Sequence, residues 1–356
     1  MQLMQTGMRV SALAFALLVT GSGCDRVDSS SRPPVVVYVS ADEGIARPVL
    51  AEFTRRTGLE VLPVFDTEAT KTTGLASRLR SERERPRADL FWSSECFRTI
   101  ELGREGLLAP LRGTVFDDWM ADRSGQWSDA DGLWFGFAPR ARVIVHREPP
   151  NFEDPLPTDW EALADPRWAD RIAMADPRFG TTSGHLGALH AHWEGIGAPE
   201  RYADWVAGVV ANRPAVLTSG NAGVVDAVAS GAYDIGMTDT DDVWAARARG
   251  LQVQLLYPAT DPDRTVGGGT LLVPNTVARI RGGPNPDGAH ALARWLLSED
   301  VERLLAESNS RNIPLRGDAG SLAVPDPLDV DLVRSSALMN DSILLFRSQL
   351  EEQVER

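Results

Sequence analysis

Residues 218–250, TSGNAGVVDAVASGAYDIGMTDTDDVWAARARG, read as helix, strand, acidic turn, helix, and that order constrains the fold more than any other stretch of the chain. Ser219 and Asn221 are N-cap types ahead of Val224, Val225 and Val228, and Gly231 supplies the stop. Residues 233–237 are short, apolar and β-prone, and they open into Thr238, Asp239, Thr240, Asp241 and Asp242. In a parallel α/β sheet the carboxyl ends of strands face the ligand crevice. Asp is a good N-cap and first-turn residue, so helix capping accounts for each of the three aspartates singly. A binding site accounts for all three together.

The same pattern recurs from the start of the folded chain. Val35–Val39 is a β-branched run of the kind a buried parallel strand shows, and it empties into Ser40, Ala41, Asp42 and Glu43. Pro48 belongs in the first turn of the next helix, which leaves Asp42 on the loop. A second strand over 59–65 ends in Asp66, Thr67 and Glu68, and the helix after it carries Leu75 and Leu79 inward. A third strand over 88–92 ends in Ser93, Ser94 and Glu95. Strand–helix alternation places these ends along one sheet edge. Two carboxylates about 4 Å apart repel by about 1 kcal/mol in water and about 4 kcal/mol at an effective dielectric near 20. A crevice lined this way takes up a cation or retains protons.

From Gly132 the pattern changes. Residues 133–146, LWFGFAPRARVIVH, form one long aromatic-rich strand, followed by a proline-rich break, and mark a crossing into a second lobe. A strand over 171–175 leads to Thr181, Thr182, Ser183 and Gly184, at a helix N-terminus whose free N–H groups attract an anion. Gly267, Gly268 and Gly269 lack the Gly-Lys-Ser/Thr of a phosphate loop and read as a hinge back to the first lobe. Residues 287–307 predict one amphipathic helix, and residues 328–353 a last helix bracing the lobes. The expected division is 35–138 with 267–310 for one lobe, 139–266 for the other, and 311–356 for the brace.

Composition narrows the function. With 36 basic against 50 acidic residues in 356, a net charge of −14 disfavours a nucleic-acid or anionic-membrane surface as partner. Two cysteines, Cys24 and Cys96, make neither a disulfide framework nor a cysteine-based zinc site. The histidines His146, His185, His190, His192 and His290 fall into no HExxH pattern, and no GxSxG elbow occurs, so no enzyme is expected. Arg9, the apolar run 10–19 and the small residues before Cys24 form an export signal over 1–23, too short for a permanent span. Residues 24–34, rich in serine and proline, read as a flexible tether.

Taken in order, VYVSADEGIARPVLAEFTRRTGLEV, RADLFWSSE, RARVIVH, VASGAYDIG and GGTLLVPNTVARI…WLLSED resemble the extracellular solute-binding proteins of ABC importers, with the nearest likeness to the ferric-iron-binding branch. The resemblance covers roughly residues 35–314. It implies an α/β, two-lobed periplasmic-binding-protein fold (type II), with the ligand cleft between the lobes and closed by their motion. It further implies a monomeric carrier in the periplasm that serves an ABC permease, anchored through lipid on Cys24. Asp42 falls where iron binders place a histidine, Glu95 or Ser94 on their glutamate ligand, and Ser183, Gly184 and His185 on the turn holding a phosphate-like anion, with Asn221 assisting. Asp42, Glu95 and Asp241 are thus the implied metal ligands. Where iron binders carry two adjacent tyrosines this chain has Thr240 and Asp241, a harder and weaker oxygen pair. Ferric iron or another metal ion with a synergistic anion is one expected ligand; an organic zwitterion of the aminophosphonate kind is the alternative, and a sensory input domain or a metal-dependent hydrolase are further ones.

Overall fold

The computed structural model describes residues 32–66, 72–122, 127–259, 269–316 and 318–354. The export segment, Cys24, Gly267 and Gly268 lie outside them. The first strands follow the expected alternation: β1 Val35–Val39, α1 Glu43–Thr57, β2 Val61–Phe65, α2 Thr73–Ser81, β3 Leu90–Ser93 and α3 Phe97–Arg104. β4 Leu108–Ala109 and α4 Thr114–Asp122 follow, and then β5 Phe135–Arg147, thirteen residues of which only the last is not fully buried. The second half runs β6 Ile172–Ala175, α5 Gly180–Gly195, α6 Glu200–Ala211, β7 Ala215–Leu217, α7 Gly220–Ala229, β8 Ile235–Asp239, α8 Thr240–Ala248 and β9 Val253–Leu256. β10 Leu272–Ile280, α9 Pro286–Leu296, α10 Glu299–Glu307 and α11 Leu332–Val354 complete the chain.

The strands join in the order β2-β1-β3-β10-β5-β8-β6-β7. β1 pairs in parallel with β2 and β3, and β6 with β7 and β8, as alternation predicts. The sheet is nevertheless mixed. β10 runs antiparallel to β3 and β5, and β5 antiparallel to β8. Strand–helix alternation alone misses this, because the residues of a buried strand carry no mark of its direction. β5 belongs to both sheet halves: its start pairs with β10 and its end with β8 and β9. The molecule is two-lobed and α/β, with β5 common to both halves of the sheet.

The predicted 287–307 helix is two helices. Ser298 turns to an extended ψ of 153° and its hydroxyl accepts from the Val301 N–H, so it caps α10 and ends α9. α11 lies against α3, α5 and α6. Ser336 Oγ donates to the Phe97 carbonyl at 2.8 Å, and Tyr202 Oη donates to the Ser342 carbonyl at 3.2 Å. Close approach depends on glycine: a Cβ on Gly187 would stand 2.4 Å from the Ser335 carbonyl oxygen. Gly187→Ala should therefore force α11 off α5 and lower stability by about 1–3 kcal/mol, read as a fall in melting temperature. An unchanged melting temperature would show that the seam is loose.

Candidate functional site

β5 carries the sequence Pro139-Arg140-Ala141-Arg142, and alternation puts both arginines on one face. Arg142 stands directly opposite Asp239 in the β5–β8 register. Its side chain is wholly buried, and Nη1 donates to Asp239 Oδ1 at 2.8 Å, to Thr181 Oγ1 at 3.2 Å and to Asn221 Oδ1 at 3.4 Å. Its Nε and Nη2 find no hydrogen-bond partner among the described residues. The other oxygen of Asp239 accepts from Thr181 Oγ1 and, at 2.9 Å, from Asn221 Nδ2. Asp239 occupies the N-cap position of α8 but makes no side-chain cap bond there. Capping does not explain it; a buried guanidinium does.

Arg140 reaches across the same edge. Nη1 donates to Asp241 Oδ2 at 3.0 Å, Nε lies 3.5 Å from Asp239 Oδ2, and Nη2 donates to the Ser94 carbonyl. Burial alone would lower its pKa, but the charges of Asp241, Asp239, Asp242 and Asp42 outweigh that and hold it above its ordinary value. Asp239, Asp241 and Asp242 each offer an oxygen within 4.8 Å of the others, a group that could hold a metal ion. They line a cavity of about 50 Å³ together with Arg140, Ser94, Asn221 and the first residues of α5, Gly180, Thr181 and Thr182. Gly180 takes the left-handed φ of 58° that turns the extended chain into this helix, so the helix N-terminus opens onto the cavity.

Of the residues expected here, Asp239, Asp241, Asn221 and Thr182 meet at the cavity. Thr240 is buried and its hydroxyl accepts from the Ala141 N–H at 3.1 Å, tying α8 to β5. Ser183 and Gly184 do not form the turn. α5 starts at Gly180, so both sit inside its second turn; the Ser183 hydroxyl donates to the Gly180 carbonyl, and a Cβ on Gly184 would overlap the Phe97 ring. His185 is fully buried with its ring 4.3 Å from that of Trp160, and burial followed by the charge of Arg142 holds its pKa well below the ordinary value. Asp42 is exposed at the start of α1, close enough to act on Arg140 by charge.

Glu95 is displaced from its expected role. It is 1 % exposed, and its carboxylate accepts from the Phe97 N–H at 2.6 Å and the Arg98 N–H at 3.1 Å, capping α3. Ser94 faces the cavity in its place, linked to Ser40 and Thr72 in a buried hydroxyl cluster. The arginines are what a search for acidic strand ends overlooked. Their signal was present, because two arginines two apart in an otherwise apolar strand require buried carboxylate partners.

Helix N-terminus, acidic strand end and two-lobed sheet together define a solute-binding cleft. The family model described as bacterial extracellular solute-binding protein matches residues 35–308, and the chain belongs to that family. Iron uptake protein A1 of Synechocystis sp. is 25% identical over 281 residues, covering 77% of this chain and 73% of that protein. The major ferric iron-binding protein of Neisseria meningitidis serogroup A is 25% identical over 303 residues, 85% of each chain. The crystal structure of iron-bound HitA from Pseudomonas aeruginosa superimposes with a TM-score of 0.74 at 21% identity, over 89% of this chain and 99% of that one. The chain is a binding protein, not an enzyme.

Glu95 gives this region a pH signature. Burial raises its pKa from 4.5 to about 7, against the opposing pull of Arg98 and the two N–H donors. Between those values the folded protein holds a proton that the unfolded chain releases. The stabilisation is complete below pH 4.5 and is lost as the pH rises to about 7. Chemical denaturation across that window should show stability falling by up to about 3 kcal/mol in the native protein, a slope that Glu95→Gln removes. Parallel profiles would refute a buried carboxyl there.

Proposed function

We propose that the chain captures a metal ion, ferric iron or another hard cation, together with a bridging anion, and delivers it to the membrane subunits of an ABC importer. The observation that carries this reading is the approach of Asp239, Asp241 and Asp242 oxygens to within 4.8 Å, beside the N-terminus of α5. Carboxylates are hard donors suited to hard cations, and the helix N-terminus suits the anion. The relatives named as iron-uptake and ferric-iron-binding proteins support the same class of cargo.

No tyrosine takes part. Tyr38 bonds Glu82, Tyr202 bonds the Ser342 carbonyl, and neither Tyr233 nor Tyr257 lines the cavity. A ferric ion bound here would lack phenolate, and a weaker or less selective site follows. Arg140 and Arg142 favour a second reading, an organic zwitterion of the aminophosphonate kind, with its ammonium on the aspartates and its phosphonate at α5. The aspartate group that brings three oxygens together favours the ion as the first reading.

The lobes are taken as 35–138 with 267–310 and as 139–266, with 311–356 bracing them, and closure on the ligand as the working motion. Lipid on Cys24 would hold a monomeric carrier at the periplasmic face of the membrane; Cys24→Ala should move the protein from the membrane to the soluble fraction, and retention would refute the anchor. Metal analysis and native mass spectrometry of protein purified without chelators identify the cargo. Asp241→Asn keeps the side chain's shape but removes a charged contact, so affinity for a cationic cargo should drop by about 1.5–3 kcal/mol, roughly 10- to 150-fold. Equal affinity by titration calorimetry would remove Asp241 from the site.

A further inference from the structure

The proposed function needs a cation on Asp239 and Asp241, yet a cation belonging to the chain already stands there. Arg140 lies 3.0 Å from Asp241 Oδ2 and 3.5 Å from Asp239 Oδ2, with its side chain 8% exposed and facing the cavity. A guanidinium does not give up its proton inside a protein, so it cannot be neutralised in place. It must move, or a second cation meets its repulsion at close range. Arg142 differs. It is wholly buried, does not line the cavity, and is held by Asp239, Thr181 and Asn221 together. One arginine is framework and the other occupies the ligand's position.

Arg140 also touches both sides of the cleft, through the Ser94 carbonyl at the end of β3 and through Asp241 in the first turn of α8. The N-terminus of α5 borders the same small cavity, so an anion seated there would lie within reach of the guanidinium fork. We propose that Arg140 is a tethered counter-ion: it fills the cation position in the empty cleft, and on loading it yields Asp241 to the incoming metal and turns onto the accompanying anion. This rests on the metal reading given above. It makes the anion synergistic for a stated reason, since the anion offers Arg140 a new partner and so lowers the cost of clearing the metal position.

The test titrates Tb³⁺, a hard trivalent probe, into the wild-type protein, Arg140→Gln, Arg140→Met and Arg140→Lys, with and without sulfate, a tetrahedral anion that leaves the probe in solution, after melting curves confirm folding. Without sulfate, the Gln and Met variants should bind Tb³⁺ roughly tenfold or more tightly than the wild type, and the Lys variant should stay close to the wild type. Sulfate should strengthen binding by the wild type and scarcely affect the neutral variants. If the wild type binds Tb³⁺ and the neutral variants bind it no more tightly, or sulfate helps all alike, the counter-ion role is overturned and the metal reading stands. Binding by the neutral variants alone, with or without sulfate, overturns both, because Arg140 then blocks the metal position and never yields it. If none binds at millimolar Tb³⁺ in either condition, both ideas fall.

Discussion

The pairing of Arg142 with Asp239 is the interaction on which the cleft depends. A fully buried guanidinium on a strand shared by two sheet halves is costly unless its charge is met at close range, and the cost of losing one partner is about 3–5 kcal/mol. Asp239 meets it from the register position directly opposite. Once fixed, Asp239 fixes its other neighbours, because its second oxygen holds Thr181 of α5 and Asn221 of α7. Three elements far apart in sequence are thereby drawn to one point. The helix N-terminus faces the cavity because the ion pair beneath it leaves Thr181 and Asn221 little freedom.

Much of this arrangement was legible in the residues. The helix–strand–helix order of 218–250, the strand ends at Ser40 and Ser94, and the long crossing strand all follow from periodicity and from the scarcity of polar residues in buried strands. That Asp239 and Asp241 come together at one strand end was also readable, since three aspartates there exceed what a single cap needs. What periodicity cannot show is direction and partner. β10 and β5 run antiparallel to their neighbours, and an apolar strand carries no mark of that. Glu95 caps α3 because the chain turns inward one residue after Ser94, a matter of backbone path that composition does not encode. Ser183 and Gly184 lie in helix packing because the helix begins at Gly180, ahead of the 181–184 turn that was expected to precede it. A shift of that size carries a side chain to a different face.

The larger correction concerns charge. Strand-end carboxylates counted alone suggest an open ring of negative charge, whereas the structure sets two guanidiniums among them. Arg140 among the aspartates, with Arg142 behind Asp239, means that attraction for a cation is moderated by the protein's own cations. The negative groups are also unevenly shared. Asp239, Asp241 and Asp242 come from β8 and α8, while the facing side contributes the hydroxyls of Ser40, Thr72 and Ser94, with Asp42 nearby.

That asymmetry divides the work of binding. Charge acts over roughly the Debye length of 8 Å at physiological salt, so on the proposed metal reading the β8–α8 side would govern which ions approach. Hydroxyls act only at hydrogen-bond distance, so Ser94 and its neighbours act only on groups already in the cavity. Arg140 is the residue that belongs to both regimes. Its charge answers Asp241 and its fork grips the Ser94 carbonyl, so any rearrangement that frees the aspartates also changes the contact across the cleft. If Arg140 acts as the counter-ion proposed above, ligand exchange and the closeness of the two sides are coupled through this one side chain, without any long pathway between them.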